Sequence, residues 1–175
     1  MTKTILLVLA LLVAGVLIFA ATRPDTFTVQ RSIAINAAPE KIFPLINDFK
    51  RWNAWSPYEK LDPDMHRTFS EPASGVGATY AWSSEGDAGA GSMKITETTV
   101  PTKLALDLDF IRPMETRNNV EFTLQPAASG TQVTWAIRGP VPYVAKIMHL
   151  FFNVDKMIGG DFEKGLADLK AAAEK

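Results

Sequence analysis

The sequence predicts an α+β fold: a curved antiparallel sheet of about seven strands wrapped around a long C-terminal helix, with two short helices after the first strand and an N-terminal transmembrane helix. Three observations carry this. Between Val144 and Ala173, Ile147, Phe151, Val154, Ile158, Phe162, Leu166 and Leu169 recur at spacings of three and four, the stripe of a helix with one buried face. Between Ala78 and Gly139, five alternating segments are separated by loops that each carry glycine, proline or both. Ahead of both, Ile5 to Ala21 contains no polar side chain.

That apolar run spans roughly 25 Å as a helix, slightly short of a bilayer core, which it can still cross with mild thinning. A cleaved secretory signal competes with this reading, since Lys3 makes a positive start. The end Phe19-Ala20-Ala21-Thr22 is, however, a poor small-x-small cleavage pattern. Residues 1–22 are therefore read as a single-pass transmembrane anchor or uncleaved signal, 23–26 as a linker and 27–175 as one domain. The expected location is a bacterial inner membrane with the domain exported. Lys3 facing Arg23 and Arg31 biases the orientation only weakly.

In Phe27 to Asn36 the residues Phe27, Val29, Ile33 and Ile35 share a parity, with Arg31 the exception, as in a half-buried strand. Pro39 and Glu40 then open a short helix containing Ile42, Phe43 and Ile46. Asp48 to Trp55 makes a second short helix with Trp52 and Trp55 on one face, ended by Ser56-Pro57. Met65 to Phe69 is a short strand. Strands follow at Ala78–Trp82, Gly91–Thr99, Leu104–Arg112, Thr116–Leu124 and Thr131–Gly139. Pairing each hairpin symmetrically about its loop aligns Tyr80, Met93, Phe110, Asn118 and Ile137 in one row. Ile95, Leu108, Val120 and Trp135 form the next, and Glu97, Leu106, Phe122 and Val133 the third. The opposite face, with Lys94, Thr96, Asp107, Asp109, Glu121, Thr123, Gln132 and Arg138, is expected to be wet, so the C-terminal helix lies across the apolar face.

This order resembles the helix-grip superfamily of START-like and birch-pollen-allergen-like proteins, and more narrowly the SRPBCC or polyketide cyclase/dehydrase and lipid-transport group. The resemblance rests on Ile33-Ala34-Ile35-Asn36-Ala37-Ala38-Pro39-Glu40-Lys41-Ile42-Phe43 and on Asp48-Phe49-Lys50-Arg51-Trp52-Asn53-Ala54-Trp55-Ser56-Pro57. It extends through Gly75-x-Gly77, Gly130-Thr131-x-Val133-x-Trp135 and Gly165-Leu166-x-x-Leu169-Lys170, so it spans about Phe27 to the C terminus. It implies a deep cavity for hydrophobic ligands and, in some members, catalysis by residues lining it.

With 47% apolar residues in 175, one domain with a sizeable core is affordable. A net charge of −1 from interspersed signs argues against nucleic acid as a partner. The absence of cysteine removes disulfide and thiolate chemistry. His66 and His149 have no partner ligand at metal spacing and are read as surface residues, so no metal is expected. Gly86 to Gly91 joins strand to strand, whereas phosphate cradles open a helix, and no cofactor motif is present.

The candidate ligand-binding set is Trp52, Trp55, Tyr80, Trp82, Met93, Phe110, Arg112, Asn118, Trp135 and Phe151. Flat aromatic walls suit a hydrophobic small molecule or lipid, and the same tryptophans serve equally as plain core. Gly91, opposite Trp82 in this register, leaves room for that indole or opens a mouth. Arg112 and Asn118 are candidates to hold a polar head group, and Glu97 is the one catalytic candidate, as an inward carboxylate that burial would push up. Otherwise these three are strand-end residues that reach water. Three functions remain open: a membrane-anchored binder of a hydrophobic molecule, a polyketide cyclase-like enzyme assisted by Glu97, Tyr80 or Arg112, and an interaction module with a filled core.

Overall fold

A computed structural model describes residues 2–175. An apolar helix, α1 (Thr2–Ala21), leads into strand β1 (Thr26–Ile35) and helix α2 (Pro39–Asn47). Two 3-10 helices, Phe49–Ala54 and Pro57–Lys60, precede strands β2 (His66–Phe69), β3 (Thr79–Ser83), β4 (Ala90–Thr99), β5 (Lys103–Arg112), β6 (Thr116–Ala127) and β7 (Gly130–Pro140). Helices α3 (Tyr143–His149) and α4 (Val154–Ala173) close the chain. The strands form one antiparallel sheet in the order β1-β7-β6-β5-β4-β3-β2. Helix α1 is long and apolar enough to cross a membrane by length and composition, a property that secretory signals share.

The expected C-terminal helix is two helices. The chain leaves helical geometry after His149 and restarts at Asn153, whose side chain caps α4 by accepting a hydrogen bond from the Lys156 amide at 2.9 Å. Asparagine competes for backbone donors, which makes it a natural restart point. Phe162, Leu166 and Leu169 are buried against the sheet as their spacing predicts. Ile147 and Phe151 belong to α3 and the connection instead. The second short helix forms as the 3-10 helix Phe49–Ala54, and a further 3-10 turn, Pro57–Lys60, opens where the sequence pattern places only a stop.

Register departs from the symmetric hairpins by two residues in three pairings. Met93 faces Leu108 rather than Phe110, Leu108 faces Asn118, and Val120 faces Ile137. The β6–β7 strands run on to Ala127 and Gly130, which leaves a two-residue turn, and displacing a loop's centre by one residue moves the register by two. An even slip keeps every side chain on its face, so parity was readable where register was not. Glu97 is the exception. A bulge between Ile95 and Glu97 pairs Glu97 with Ala105 and turns its carboxylate to the outer face, where it accepts from Lys103 Nζ at 3.1 Å.

The core is aromatic. Trp135 on β7 stacks between Phe162 of α4, with centroids 3.9 Å apart, and Phe122 of β6 at 5.1 Å. Trp55 meets both Phe122 and Trp135 edge-on, and Trp52 packs on Trp55. Trp52 and Trp55 donate their indole N–H groups to the carbonyls of Ile46 and Leu45, which fixes the first 3-10 helix on α2. Arg31, the odd residue of β1, passes beneath α4 at Gly159. It donates from Nε to Glu163 Oε1 at 2.7 Å and from Nη2 to Asp155 Oδ2 at 2.9 Å, so it ties strand to helix. Gly130, at φ +127°, brings the β7 start against β1, and Thr131 donates its hydroxyl to the Ala37 carbonyl at 2.8 Å.

Gly91 pairs with Trp82, as the sequence predicts. A methyl group at Gly91 would lie 2.5 Å from the Asp109 carbonyl oxygen and 2.6 Å from the Trp82 ring, and neither can give way cheaply. Gly91→Ala is expected to lower stability by about 1–3 kcal/mol, read as a fall in the urea midpoint of the full chain in detergent micelles.

Candidate functional site

The curved sheet, the second 3-10 helix and α4 enclose a cavity of about 280 Å³. Its deep wall is made by the buried residues Trp52, Tyr80, Met93, Val120, Trp135, Ile137 and Phe162, and Trp82, Leu108 and Phe110 continue it toward one end. Leu61, Asp87, Met157 and Asp161 are exposed and mark the mouth. Strand β4 has only Gly91 opposite Trp82, so the indole lies down there and donates its N–H to the Ala88 carbonyl at 2.9 Å.

One corner is polar. The Tyr80 hydroxyl donates to Glu59 Oε1 at 2.6 Å, and Arg67 on β2 donates from Nε to Glu59 Oε2 at 2.7 Å and from Nη2 to the Glu59 carbonyl at 2.9 Å. The Glu59 side chain is 8% exposed, so its charge is held by Arg67 rather than by water. Tyr58, beside Glu59 in the same 3-10 turn, and Asp161 of α4 also line the cavity and interact with each other. Both phenols are pushed above the ordinary tyrosine range. Burial is the main cause for each, reinforced for Tyr80 by its bond to Glu59 and for Tyr58 by the Asp161 charge. The neutral phenols are favoured in the folded state, whereas unfolded tyrosines ionise near pH 10. Their contribution to stability is therefore complete below about pH 10 and lost as pH rises above it. The expected result is a stability that falls progressively above about pH 10, with the 295 nm absorbance of Tyr58 and Tyr80 tyrosinate appearing only as the chain unfolds.

The residues singled out in the sequence divide by position. Trp52, Tyr80, Trp82, Met93, Phe110 and Trp135 line the cavity. Trp55 is fully buried behind Trp52 and Trp135. Asn118 is on the inner face but packs against Gly139, its Nδ2 donating to Thr116 Oγ1 at 3.3 Å. Arg112 leaves the cavity at the end of β5. The bulge at Ala90/Gly91 re-aims the strand end, and the guanidinium reaches Ser83, Ser84 and Glu85 in the β3–β4 loop. Phe151 is 72% exposed in the α3–α4 connection, and Glu97 is on the outer face. Sequence reasoning missed Tyr58, Glu59, Asp161 and Arg67. The first two follow Pro57, where the sequence pattern ends a helix. The signal available was Pro57 at the first position of a new turn with Glu59 behind it.

The Trp135 indole nitrogen is buried without an acceptor among the described residues. No cluster of three histidine, cysteine or carboxylate residues suited to a metal ion occurs among them either.

A curved sheet gripping a C-terminal helix over an aromatic cavity defines a helix-grip protein. Residues 26–174 match the family described as polyketide cyclase / dehydrase and lipid transport, and the chain belongs to that family. No curated protein matches the sequence. Among solved structures the chain is similar to protein CV1439 from Chromobacterium violaceum, with 15% identity, a TM-score of 0.59 and coverage of 87% of this chain and 99% of that one. It is also similar to the di-domain ARO/CYC StfQ from the steffimycin biosynthetic pathway, with 9% identity, a TM-score of 0.63 and coverage of 85% and 51%. A third is the Aha1 dimer from Colwellia psychrerythraea, with 20% identity, a TM-score of 0.54 and coverage of 85% and 96%. At these identities the likeness is one of fold.

Proposed function

We propose that the chain is a membrane-tethered binding domain for a small hydrophobic molecule, with residues 1–22 as anchor, 23–26 as linker and 27–175 as the ligand domain. In this reading α1 spans a bacterial inner membrane and the domain is exported; the apolar length of α1 supports it. The observation that carries this reading is the aromatic cavity of about 280 Å³ with the Tyr80–Glu59 hydrogen bond at one corner. Its size is just below the ~300–1,000 Å³ typical of ligand pockets, which suits one compact ring system or a short chain rather than a whole phospholipid. The apolar wall supplies affinity, and the Tyr80 hydroxyl, already polarised by Glu59, orients a ligand oxygen.

The experiment is titration of the full chain in detergent micelles with N-phenyl-1-naphthylamine, a neutral apolar fluorophore, exciting tryptophan and reading energy transfer to the probe. Saturable transfer at one probe per chain supports the reading. Transfer equal to that of micelles alone would sink it.

A cyclase-like enzyme is the second reading, and the Tyr80–Glu59 bond at the cavity wall is what favours it. In that case Tyr80, rather than Glu97 or Arg112, is the proton donor, and Tyr80→Phe abolishes turnover with probe binding retained. A binder predicts only a modest change in affinity from the same substitution.

A further inference from the structure

We infer that the end of the domain carrying the α3–α4 connection docks on the bilayer surface and presents the cavity mouth to lipid. The inference rests on the reading of α1 as a membrane anchor and goes beyond it, since a tether alone leaves the domain free to stand off the membrane.

Three observations converge on this end. First, α3 packs on α1, and the Tyr143 hydroxyl donates to the Leu17 carbonyl at 2.8 Å. Leu17 is four residues inside the end of α1, roughly 6 Å along the helix axis. A bilayer crossed by α1 therefore holds Tyr143 at interfacial depth, where tyrosine is favoured. Second, Val144, Met148, Phe151 and Phe152 are exposed, the last two at 72% and 57%. The only lysine, arginine or acid between Tyr143 and Val154 is Lys146, and it is buried with its Nζ 2.6 Å from Asp25. The segment itself thus exposes no formal charge from those residue types, and the exposed Asp25 carboxylate beside it is paired with Lys146, which keeps the patch apolar as an interfacial segment requires. Third, the antiparallel topology puts the start of β1, the end of β7, the β3–β4 loop and the β5–β6 tip at one end of the sheet. That tip also exposes Ile111 and Met114, and the same end holds Asp87 of the cavity mouth. Met157, exposed on the first turns of α4 just after the patch, completes that mouth. A ligand leaving the cavity here would pass into lipid headgroups without crossing bulk water.

Continuity with α1 selects the bilayer over a second copy of the chain as the occupant. The chain has no cysteine, so a single introduced one carries a single probe. Phe151→Cys and Phe152→Cys are labelled with a nitrobenzoxadiazole dye in the full chain and reconstituted into phosphatidylcholine–phosphatidylglycerol vesicles. Leu12→Cys in α1 reports the anchor. Val100→Cys, in the β4–β5 turn at the far end of the sheet, reports water. Docking predicts that both phenylalanine-site probes are quenched by doxyl-labelled phosphatidylcholine and at least about fivefold less by iodide than the Val100-site probe, as expected for side chains a few ångströms below the headgroups. Iodide quenching equal to that at Val100, with the Leu12-site probe still quenched by lipid, overturns docking and leaves the anchor standing. Protection from iodide without lipid quenching overturns it in favour of a second copy seated on the patch. A Leu12-site probe with no lipid quenching overturns both docking and anchor.

Discussion

Leu108→Trp is expected to weaken binding of N-phenyl-1-naphthylamine by more than tenfold, a loss above about 1.4 kcal/mol, while leaving the urea midpoint nearly unchanged. Leu108 faces Met93 on β4 and Asn118 on β6, and its side chain projects into the cavity between sheet and α4. An indole there has empty space to occupy. Where a core is already full, the same substitution forces off-rotamer neighbours and costs about 1–3 kcal/mol. Binding and stability read together therefore separate the ligand domain from the interaction module with a filled core. Weak binding with unchanged stability means that the cavity is real and is the site. A stability loss of that size means that the interior closes in solution.

Phe122→Ala is expected to destabilise the domain by about 3–5 kcal/mol, among the largest effects of any single truncation, because it opens a void where no side chain can collapse. Phe122 has no exposed surface, stacks on Trp135 and receives the edges of Trp52 and Trp55. Chemical denaturation in detergent micelles should move the urea midpoint down with the slope unchanged. Phe151→Ala gives the contrast: the side chain is mostly in solvent, and the expected change is within about 0.5 kcal/mol. Both phenylalanines fall on apolar patterns in the sequence, and only one is core.

That contrast defines what could be read before the fold was known. Alternation and helical spacing report which face a residue takes, and for the sheet they were sufficient. Every strand is present, and the wet face carries Lys94, Asp107, Glu121 and Arg138 as expected. Periodicity does not report where a stripe is interrupted, so it misses the α3–α4 break and puts Phe151 inside. It is also blind to bulges. The one at Thr96 reversed Glu97, and the one at Ala90/Gly91 accompanied the outward turn of Arg112, which removed both charged candidates from the cavity. The charged corner that is present could not be seen by strand parity at all. Glu59 comes from a 3-10 turn and Arg67 from a short edge strand, and only tertiary packing sets them beside Tyr80.

The most direct test of the ligand cavity is native mass spectrometry of the full chain, released from detergent micelles after purification from its own host and again after incubation with N-phenyl-1-naphthylamine. A ligand cavity gives a one-to-one adduct in at least one of the two preparations, lost in Leu108→Trp. The mass of the bare chain in both would contradict it and leave the aromatic interior as packing alone.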